Sequence, residues 1–271
     1  MSLLNLQQVT LFCYETREPL LAEWAIKKCL SKANFKEVVL VTDLKLVNNQ
    51  ISEIKYIQAP KNSSVENYSK WMIEKLGEFV SGTHVLVIQW DSFIINTKFW
   101  IKEFYSYDYI GAIWPHHANN SVGNGGFSLR SKKLLNALQE PEIVKGHPED
   151  YYICVNNKKL LEDKYNIKFA PNKIADIFSV ERSKWHSTFG FHGFFNFAHV
   201  LNEKELEEFL NIIPRSMLNN LDTYDLLDLV EKKKFNVVAK ILRSKLTFKW
   251  KYRLSYLYQK LRLYTIWNMF F

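Results

Sequence analysis

The sequence predicts an α/β fold in which a mostly parallel central sheet is flanked by helices. Short runs that are apolar throughout alternate with stretches of helical periodicity, and acidic residues directly follow two of the apolar runs. Strands buried on both faces read as continuous apolar runs, and their alternation with helices is typical of a parallel sheet. Because ligands of such sheets bind at the carboxyl ends of the strands, the positions of Asp43 and Asp91 make them candidate site residues.

The first half of the chain contains four predicted strands and two predicted helices. The strands lie at residues 9–14, 38–41, 54–57 and 84–89, and the helices lie at 20–30 and 68–79. Apolar residues recur three and four positions apart in both helices, which indicates one buried face. The third strand ends before Pro60, and the fourth runs directly into the segment that contains Asp91.

The second half of the chain has mainly helical patterns. We predict helices at residues 131–138, 150–161, 202–212, 224–246 and 248–267. Asn202 and Glu205 have the spacing of a capping box, and Pro214 ends the helix that they begin. These patterns predict an α/β domain over residues 1–200 and a helical C-terminal extension over residues 201–271.

Composition and cysteine content describe a globular protein without a disulfide framework. Of the 271 residues, 47% are hydrophobic and 24% are charged, which is ordinary for a soluble domain. The cysteines Cys13, Cys29 and Cys154 have no paired spacing, so we interpret them as reduced thiols. No secretory signal opens the chain, and no window approaches the roughly 20 apolar residues of a membrane span. We therefore expect a cytoplasmic location.

The positive charge is concentrated at the C-terminus. The whole chain has 36 Lys and Arg and 28 Asp and Glu residues, and 11 of the basic residues but no acidic ones follow Glu231. Residues 1–231 therefore hold 36 − 11 = 25 basic residues against 28 acidic ones, a balance of −3. This asymmetry argues against a nucleic-acid surface over the whole body and indicates a local anionic partner for the tail.

Four short polar insertions contain the candidate chemistry. In chain order they are Gln89-Trp90-Asp91, Gly123-Asn124-Gly125-Gly126, Pro148-Glu149-Asp150 and Gly190-Phe191-His192-Gly193. They provide an oxygen ligand for a cation, a loop that exposes its backbone, a pair of carboxylates suited to general base catalysis, and an imidazole.

Each insertion also has a plainer interpretation. Asp91 could cap a turn, and the glycines could form a hairpin turn. The acidic pair could be an exposed helix start, and His192 could be a hydrogen-bonded core histidine. The sequence contains no nucleophile elbow, no zinc-protease motif and no phosphate-binding P-loop. A glycosidase with Asp91 and Asp150 as its two carboxylates is a weaker alternative.

Taken together, six stretches of the chain resemble one class of enzyme. They are VLVIQWDSFI, YDYIGAIW, VGNGGFSLRSKKLL, PEDYYIC, IKFAPNKIADIFSVE and FGFHGFFNF, which lie between about residues 84 and 197. In this order they resemble nucleotide-sugar glycosyltransferases of the GT-A fold. More narrowly, they resemble a bacterial glycosyltransferase-like family known mainly as a domain of unknown function. The resemblance implies a GT-A-like catalytic domain.

The resemblance also implies a donor site. Asp91 matches the last acid of the DxD motif, and His192 matches the C-terminal histidine; together they would hold a divalent cation, Mn²⁺ or Mg²⁺. Gln89 occupies the position of the first acid, so the metal requirement stays open. The implied donor or substrate contacts are Thr16, Asp43, Gln89, Trp114, Asn124, Gly125 and Gly126.

The acidic pair resembles the xED motif, which implies an inverting transfer with Asp150 as the general base and Glu149 as a ligand of the acceptor. The implied reaction moves a sugar from a nucleotide-sugar to a hydroxyl of a glycan or lipid-linked glycan, in bacterial surface polysaccharide or lipooligosaccharide synthesis. Since Gln89 replaces an acid, the alternative is a non-catalytic module that binds sugar nucleotides or glycans.

The tail, residues 240–271, combines basic residues with Trp and Tyr along one predicted helical stripe. This pairing suits a helix that lies on an anionic membrane, so we expect a peripheral protein on the inner face of the cytoplasmic membrane. The alternative is a terminal helix that packs on the body. Nucleic-acid binding by base stacking is disfavoured by the acidic balance of the body and the lack of an RNA-binding motif.

Overall fold

The computed structural model describes residues 2–61, 64–115, 117 and 122–246. The chain forms two compact units, of which the first ends at His192 and the second begins at Gly193. The predicted division after residue 200, into two domains, stays a prediction. The tail prediction falls largely on residues 247–271, which lie outside the described residues.

The first unit contains a six-stranded and a three-stranded sheet in the part of the chain that is described. In chain order the strands are β1 (Leu4–Tyr14), β2 (Ala33–Thr42), β3 (Lys55–Gln58), β4 (His84–Ile88), β5 (Ser92–Ile94), β6 (Tyr109–Ile110), β7 (Phe127–Ser131), β8 (Ser179–Val180) and β9 (Gly190–His192). The large sheet has the order β3-β2-β1-β4-β7-β6, and the small sheet has the order β5-β9-β8.

The central sheet is mostly parallel, as predicted. β1 pairs in parallel with both β2 and β4, and β2 pairs in parallel with β3. β7 pairs antiparallel with β4 and with β6, so β7 alone runs against the other five strands of this sheet. In chain order, β2 pairs with one edge of β1 and β3 pairs with β2, and β4 then pairs with the other edge of β1. The crevice between the carboxyl ends of β1 and β4 is therefore the position where such sheets bind ligands.

Helices of the first unit flank the sheet. They are α1 (Pro19–Leu30), α2 (Val65–Glu74), α3 (Lys132–Ala137), α4 (Glu149–Tyr151), α5 (Lys158–Tyr165) and α6 (Asn172–Phe178). The second unit contains α7 (Phe197–Val200), α8 (Glu203–Ile212), α9 (Leu221–Lys232) and α10 (Asn236–Lys245). Most of these helices lie where the sequence predicts them. A π-helical turn, Tyr152–Asn156, lies between α4 and α5. None of the described helices has the length and apolarity required to span a bilayer.

Burial of apolar side chains explains why these segments become strands. All five residues of β4 are buried, as the continuous apolar run predicted. On one side of the sheet, the ring of Trp71 from α2 stacks on Phe12 of β1 at 5.5 Å and on Phe79 at 5.3 Å. Buried aromatic pairs of this kind add about 1 kcal/mol beyond the area that they bury. They fix α2 over the end of the sheet where the polar insertions lie.

Two of the helices were predicted as continuous but are interrupted in the structure. The predicted helix over residues 150–161 is interrupted, because it passes from α4 through the π-helical turn before α5 begins. The predicted helix over residues 224–246 divides into α9 and α10. Lys234 adopts a left-handed φ of 61°, and the N–H of Phe235 donates to the carbonyl of Val230, which ends α9. The capping box of Asn202 and Glu205 is confirmed.

Candidate functional site

The antiparallel strand β7 brings the glycine loop to the segment that follows β4. Because β7 starts where β4 ends, Phe127 pairs with Ile88. The N–H of Gln89 then donates to the carbonyl of Gly126 at 3.1 Å, and the Ser92 hydroxyl donates to the same carbonyl at 2.7 Å. The first two polar insertions therefore form one surface at the carboxyl end of β4.

The small sheet brings His192 to the same place. β9 pairs antiparallel with β5, and in this pairing His192 lies opposite Ser92, the residue that follows Asp91. Nε2 of His192 lies 3.4 Å from Oδ1 of Asp91 and 3.1 Å from Oε1 of Gln89. On the other side of the ring, Nδ1 lies 2.9 Å from Oε1 of Glu181, which follows the neighbouring strand β8.

The carboxylates of Asp91 and Glu181 contact the imidazole of His192 from two sides and favour its protonated form. Burial by itself lowers the pKa of His192, but Asp91 and then Glu181 outweigh it and raise that pKa well above its usual range. The side chain of His192 is 17% exposed, so the positive charge lies close to the open cleft. Such a fixed cation can bind an anionic group of a ligand.

Backbone hydrogen bonds connect the acidic turn, Pro148-Glu149-Asp150, to the glycine loop. The N–H of Gly125 donates to Oδ2 of Asp150 at 2.9 Å, and the N–H of Tyr151 donates to Oδ1 of Asp150 at 2.9 Å. Desolvation, and after it the charge of Glu149, raise the pKa of Asp150 to about 6. A carboxylate with that pKa is ionised at neutral pH and takes up a proton more readily than an ordinary Asp, which suits a general base.

A single cleft of about 320 Å³ joins these groups. Its lining includes eight of the eleven predicted site residues: Gln89, Trp114, Asn124, Gly125, Gly126, Glu149, Asp150 and His192. Asp91 is buried behind His192 and contacts it. The roles of all these residues stay predictions; the structure places them around one space.

Thr16 and Asp43 do not line this cleft. Asp43 follows β2, where its side chain accepts a hydrogen bond from the N–H of Lys45 at 3.1 Å and caps a short 3₁₀ turn. Thr16 follows β1 and is half-buried. Both lie at carboxyl ends of strands on the β2 side of the sheet, so their roles as donor contacts stay predictions.

Gly125 and Gly126 allow the side chains of Glu149 and His192 to approach the loop closely. A Cβ on Gly125 would lie 2.3 Å from Oε1 of Glu149, and a Cβ on Gly126 would lie 2.2 Å from Nε2 of His192. Asn124 supplies the turn itself, with a left-handed φ of 61°. The loop therefore needs small residues, because the side chains of Glu149 and His192 pack against it.

Replacing Gly126 by alanine should damage the site. We expect Gly126→Ala to displace the His192 ring and to lower the free energy of unfolding by about 1–3 kcal/mol, the usual cost of overpacking. Gly77→Ala is the matched control, because a Cβ there meets its nearest neighbour at an ordinary 3.5 Å. Urea denaturation of both variants measures the difference. Equal stability of the two variants would show that the loop has room to spare.

Sequence reasoning missed three residues that the structure places in or next to the site. Arg130 is completely buried in β7 and its Nη2 contacts Oε1 of Glu149 at 3.0 Å. Glu181 contacts His192, and Tyr68 accepts a hydrogen bond from Nε2 of Gln89 at 3.2 Å. No strand was predicted over residues 127–131, which read FSLRS, so the local sequence pattern contains no signal that Arg130 is buried. No local pattern distinguishes Glu181 or Tyr68.

A family model described as Protein of unknown function (DUF5672) matches residues 52–192, slightly more than half of the chain. The chain belongs to this family. The matched region contains all four polar insertions up to His192. No curated protein matches the chain.

The fold of this chain is also remotely similar to those of two solved structures. One is the mannosyltransferase PcManGT from Pyrobaculum calidifontis in complex with GDP-Man and Mn²⁺, with 9% identity and a TM-score of 0.44 over 96% of this chain and 82% of that one. Another is the apo-form glycosyltransferase GlyE of Streptococcus pneumoniae TIGR4, with 14% identity and a TM-score of 0.38 over 68% of this chain and 54% of that one. At these scores the likenesses carry no argument about this family member.

Proposed function

We propose that this protein is an inverting glycosyltransferase with a GT-A-like fold that uses a nucleotide-sugar donor. The observation that supports the proposal is the convergence of Asp150, the glycine loop and the Asp91–His192 pair on one cleft at the carboxyl end of β4. The raised pKa of Asp150 favours an enzyme over a non-catalytic binding module, since binding alone needs no base.

In the proposed reaction, an acceptor hydroxyl attacks the anomeric carbon of the donor sugar. Asp150 takes the hydroxyl proton as the new C–O bond forms, while the bond between the anomeric carbon and the diphosphate oxygen breaks. The electron pair leaves with the nucleoside diphosphate. The protonated ring of His192, or a bound divalent cation that replaces its Nε2 proton, would stabilise the negative charge on that leaving group.

We place the donor nucleotide toward the crevice between β1 and β4. Tyr68 lines the cleft and its ring contacts that of Tyr14, the last residue of β1, at 5.3 Å. A donor whose sugar lies near Asp150 would extend from there toward the ends of β1 and β2. This direction leads to Thr16 and Asp43, which would contact the base or ribose.

The residues around His192 fit a divalent cation. Nε2 of His192 lies 3.1 Å from Oε1 of Gln89 and 3.4 Å from Oδ1 of Asp91, so these three side chains would hold the cation, with the ring of His192 neutral. Glu181 accepts at Nδ1, as carboxylates usually do behind a metal-binding histidine. No cluster of three or more His, Cys, Asp or Glu suited to a metal occurs among the described residues. Diphosphate oxygens and water would therefore complete the shell. Bound Mn²⁺ or Mg²⁺ would offset charge on the departing diphosphate.

The acceptor and the cellular location extend the proposal. We propose a glycan or lipid-linked glycan acceptor in surface polysaccharide or lipooligosaccharide synthesis. The protein would act in the cytoplasm at the inner face of the membrane, with residues 240–271 as the contact. Vesicle sedimentation tests this contact: binding to anionic vesicles at low salt supports it, and no binding contradicts it.

A thermal-shift screen tests the donor proposal. Nucleotide sugars with and without Mn²⁺ or Mg²⁺ are added to the protein, and one donor should raise the melting temperature, since a ligand at 100 times its Kd stabilises the folded state by about 2.7 kcal/mol. Gly126→Ala should lose most of this shift, and Gly77→Ala should keep it. A protein that no nucleotide sugar stabilises contradicts the proposal.

The pH dependence of stability tests the environment of Asp150. Its folded pKa of about 6 is above the ordinary value of 3.8, so its contribution to stability is present at low pH and is lost as the pH rises through 6. Asp150→Asn lacks this term. The stability of the native protein relative to this variant should fall by on the order of 2 kcal/mol between about pH 4 and pH 7.5. Urea unfolding at several pH values measures it, and a constant or rising difference would contradict the assignment.

A further inference from the structure

The carboxylate of Glu149 is already engaged within the protein. Its Oε1 lies 3.0 Å from Nη2 of Arg130, and the residue is only 4% exposed. The backbone N–H of Glu149 donates to the Ser69 hydroxyl at 3.2 Å, which ties this turn to α2. The acceptor contact that the family resemblance implies for Glu149 stays a prediction.

Arg130 has no exposed surface and connects three groups beneath the cleft. Its Nε donates to the Ser128 hydroxyl at 3.0 Å, and its Nη2 donates to the carbonyl of Gly125 at 3.4 Å as well as to Glu149. Its guanidinium lies 5.4 Å from the ring centre of Tyr109. A buried ion pair is often no more stable than an apolar pair of similar size, so stability alone is a weak explanation for it.

The peptide units of Gly125 link this pair to Asp150. The carbonyl of Gly125 accepts from Arg130, and its N–H donates to Oδ2 of Asp150 at 2.9 Å. A Cβ at Gly125 would collide with Glu149 at 2.3 Å and with Arg130 at 2.9 Å. Movement of either charged partner therefore changes the position of the N–H that orients Asp150.

We propose that Arg130 and Glu149 are a positioning pair, which fixes the Gly125 peptide against Asp150 and holds a negative charge next to the Asp150 carboxylate. The ion pair with Arg130 holds the carboxylate of Glu149 in place, and the charge of Glu149 opposes ionisation of Asp150. The pair acts through Asp150. That Asp150 is a catalytic base rests on the proposed function; the geometry of the pair does not.

The electrostatic part of the inference follows from the charges around Asp150. Among them, Glu149 raises the pKa of Asp150, and Arg130 lowers it by a smaller amount. The titratable groups coupled to Asp150, on its own turn and on the elements packed against it, are Glu149, Arg130, Tyr68, Tyr109 and Cys154. Burial raises the pKa of both tyrosines and of Cys154, so these three are neutral at physiological pH. Within this set, only the pair changes the charge near Asp150.

The decisive experiment measures Asp150 directly. Carbon-13 NMR of Asp-labelled protein, with the Asp150 carboxyl assigned from Asp150→Asn, gives its titration curve in the native protein, in Glu149→Gln and in the double variant Arg130→Met/Glu149→Met. We expect the titration midpoint to fall by about one pH unit or more in Glu149→Gln and by less in the double variant. The control is Glu37→Gln, which breaks the exposed pair with Lys55 on β2 and β3 and should leave the midpoint unchanged.

The double variant separates positioning from stability, because it removes both buried charges together. We expect it to fold, to bind the donor found in the thermal-shift screen with native affinity, and to lose at least tenfold in kcat with its acid limb moved to lower pH. Unchanged Asp150 titration in both variants would overturn the inference. Native kcat in a folded double variant would overturn it as well. If no transfer is found for any protein, the proposed function fails, and the titration still decides the inference.

Discussion

Asp150→Asn should abolish sugar transfer and leave donor binding intact. General base catalysis contributes about 10²–10⁴-fold in rate, so we expect kcat to fall by at least 10². An amide oxygen can still accept the hydrogen bond that the Gly125 N–H donates to Oδ2, so the loop should keep its place. The donor Kd should change by less than about threefold, since the base acts on the acceptor and contacts no part of the donor diphosphate.

Asp163→Asn is the control for this experiment. Asp163 is an exposed residue of α5 in the same unit, and its substitution makes the same chemical change away from the cleft. Steady-state transfer and donor titration on both variants measure kcat and Kd separately. Full activity of Asp150→Asn would eliminate Asp150 as the base. Loss of donor binding together with activity would assign Asp150 to the donor site.

The second large effect is on stability. Arg130→Met leaves the carboxylate of Glu149 buried without its partner, and removing one member of a buried pair costs about 3–5 kcal/mol. The double variant Arg130→Met/Glu149→Met removes both charges and should recover to within about 1 kcal/mol of the native protein. Urea denaturation of Arg130→Met, Glu149→Met and the double variant gives the coupling energy between the two side chains. Additive losses would show that the two side chains do not stabilise one another.

The sequence predicts the four parallel strands β1 to β4, because each of them overlaps a short, largely apolar run. The run at residues 84–89 leads directly into Asp91, and the structure places that junction at the carboxyl end of β4. Strand β7 was not predicted, although its antiparallel pairing with β4 determines the position of the glycine loop. Strand direction follows from long-range pairing, here Phe127 with Ile88, and local patterns contain no information about it.

The site was predictable as a set of residues but not as a set of contacts. Asp150 and His192 were identified from the motifs that contain them. Their partners were not, since Glu181 reaches His192 only through the pairing of two short strands, β8 and β9. The motif of Glu149 implies contact with an acceptor, which stays a prediction. Its ion pair with Arg130 of β7 was not predicted.

The anomeric configuration of the transferred sugar tests the central claim most directly. Proton NMR of the first turnovers, with the donor that stabilises the protein, distinguishes the two anomers by their coupling constants. We expect the product to have the configuration opposite to that of the donor, and we expect no product with Asp150→Asn. A product that retains the donor configuration, or equal turnover by Asp150→Asn, would contradict a single displacement with Asp150 as its base.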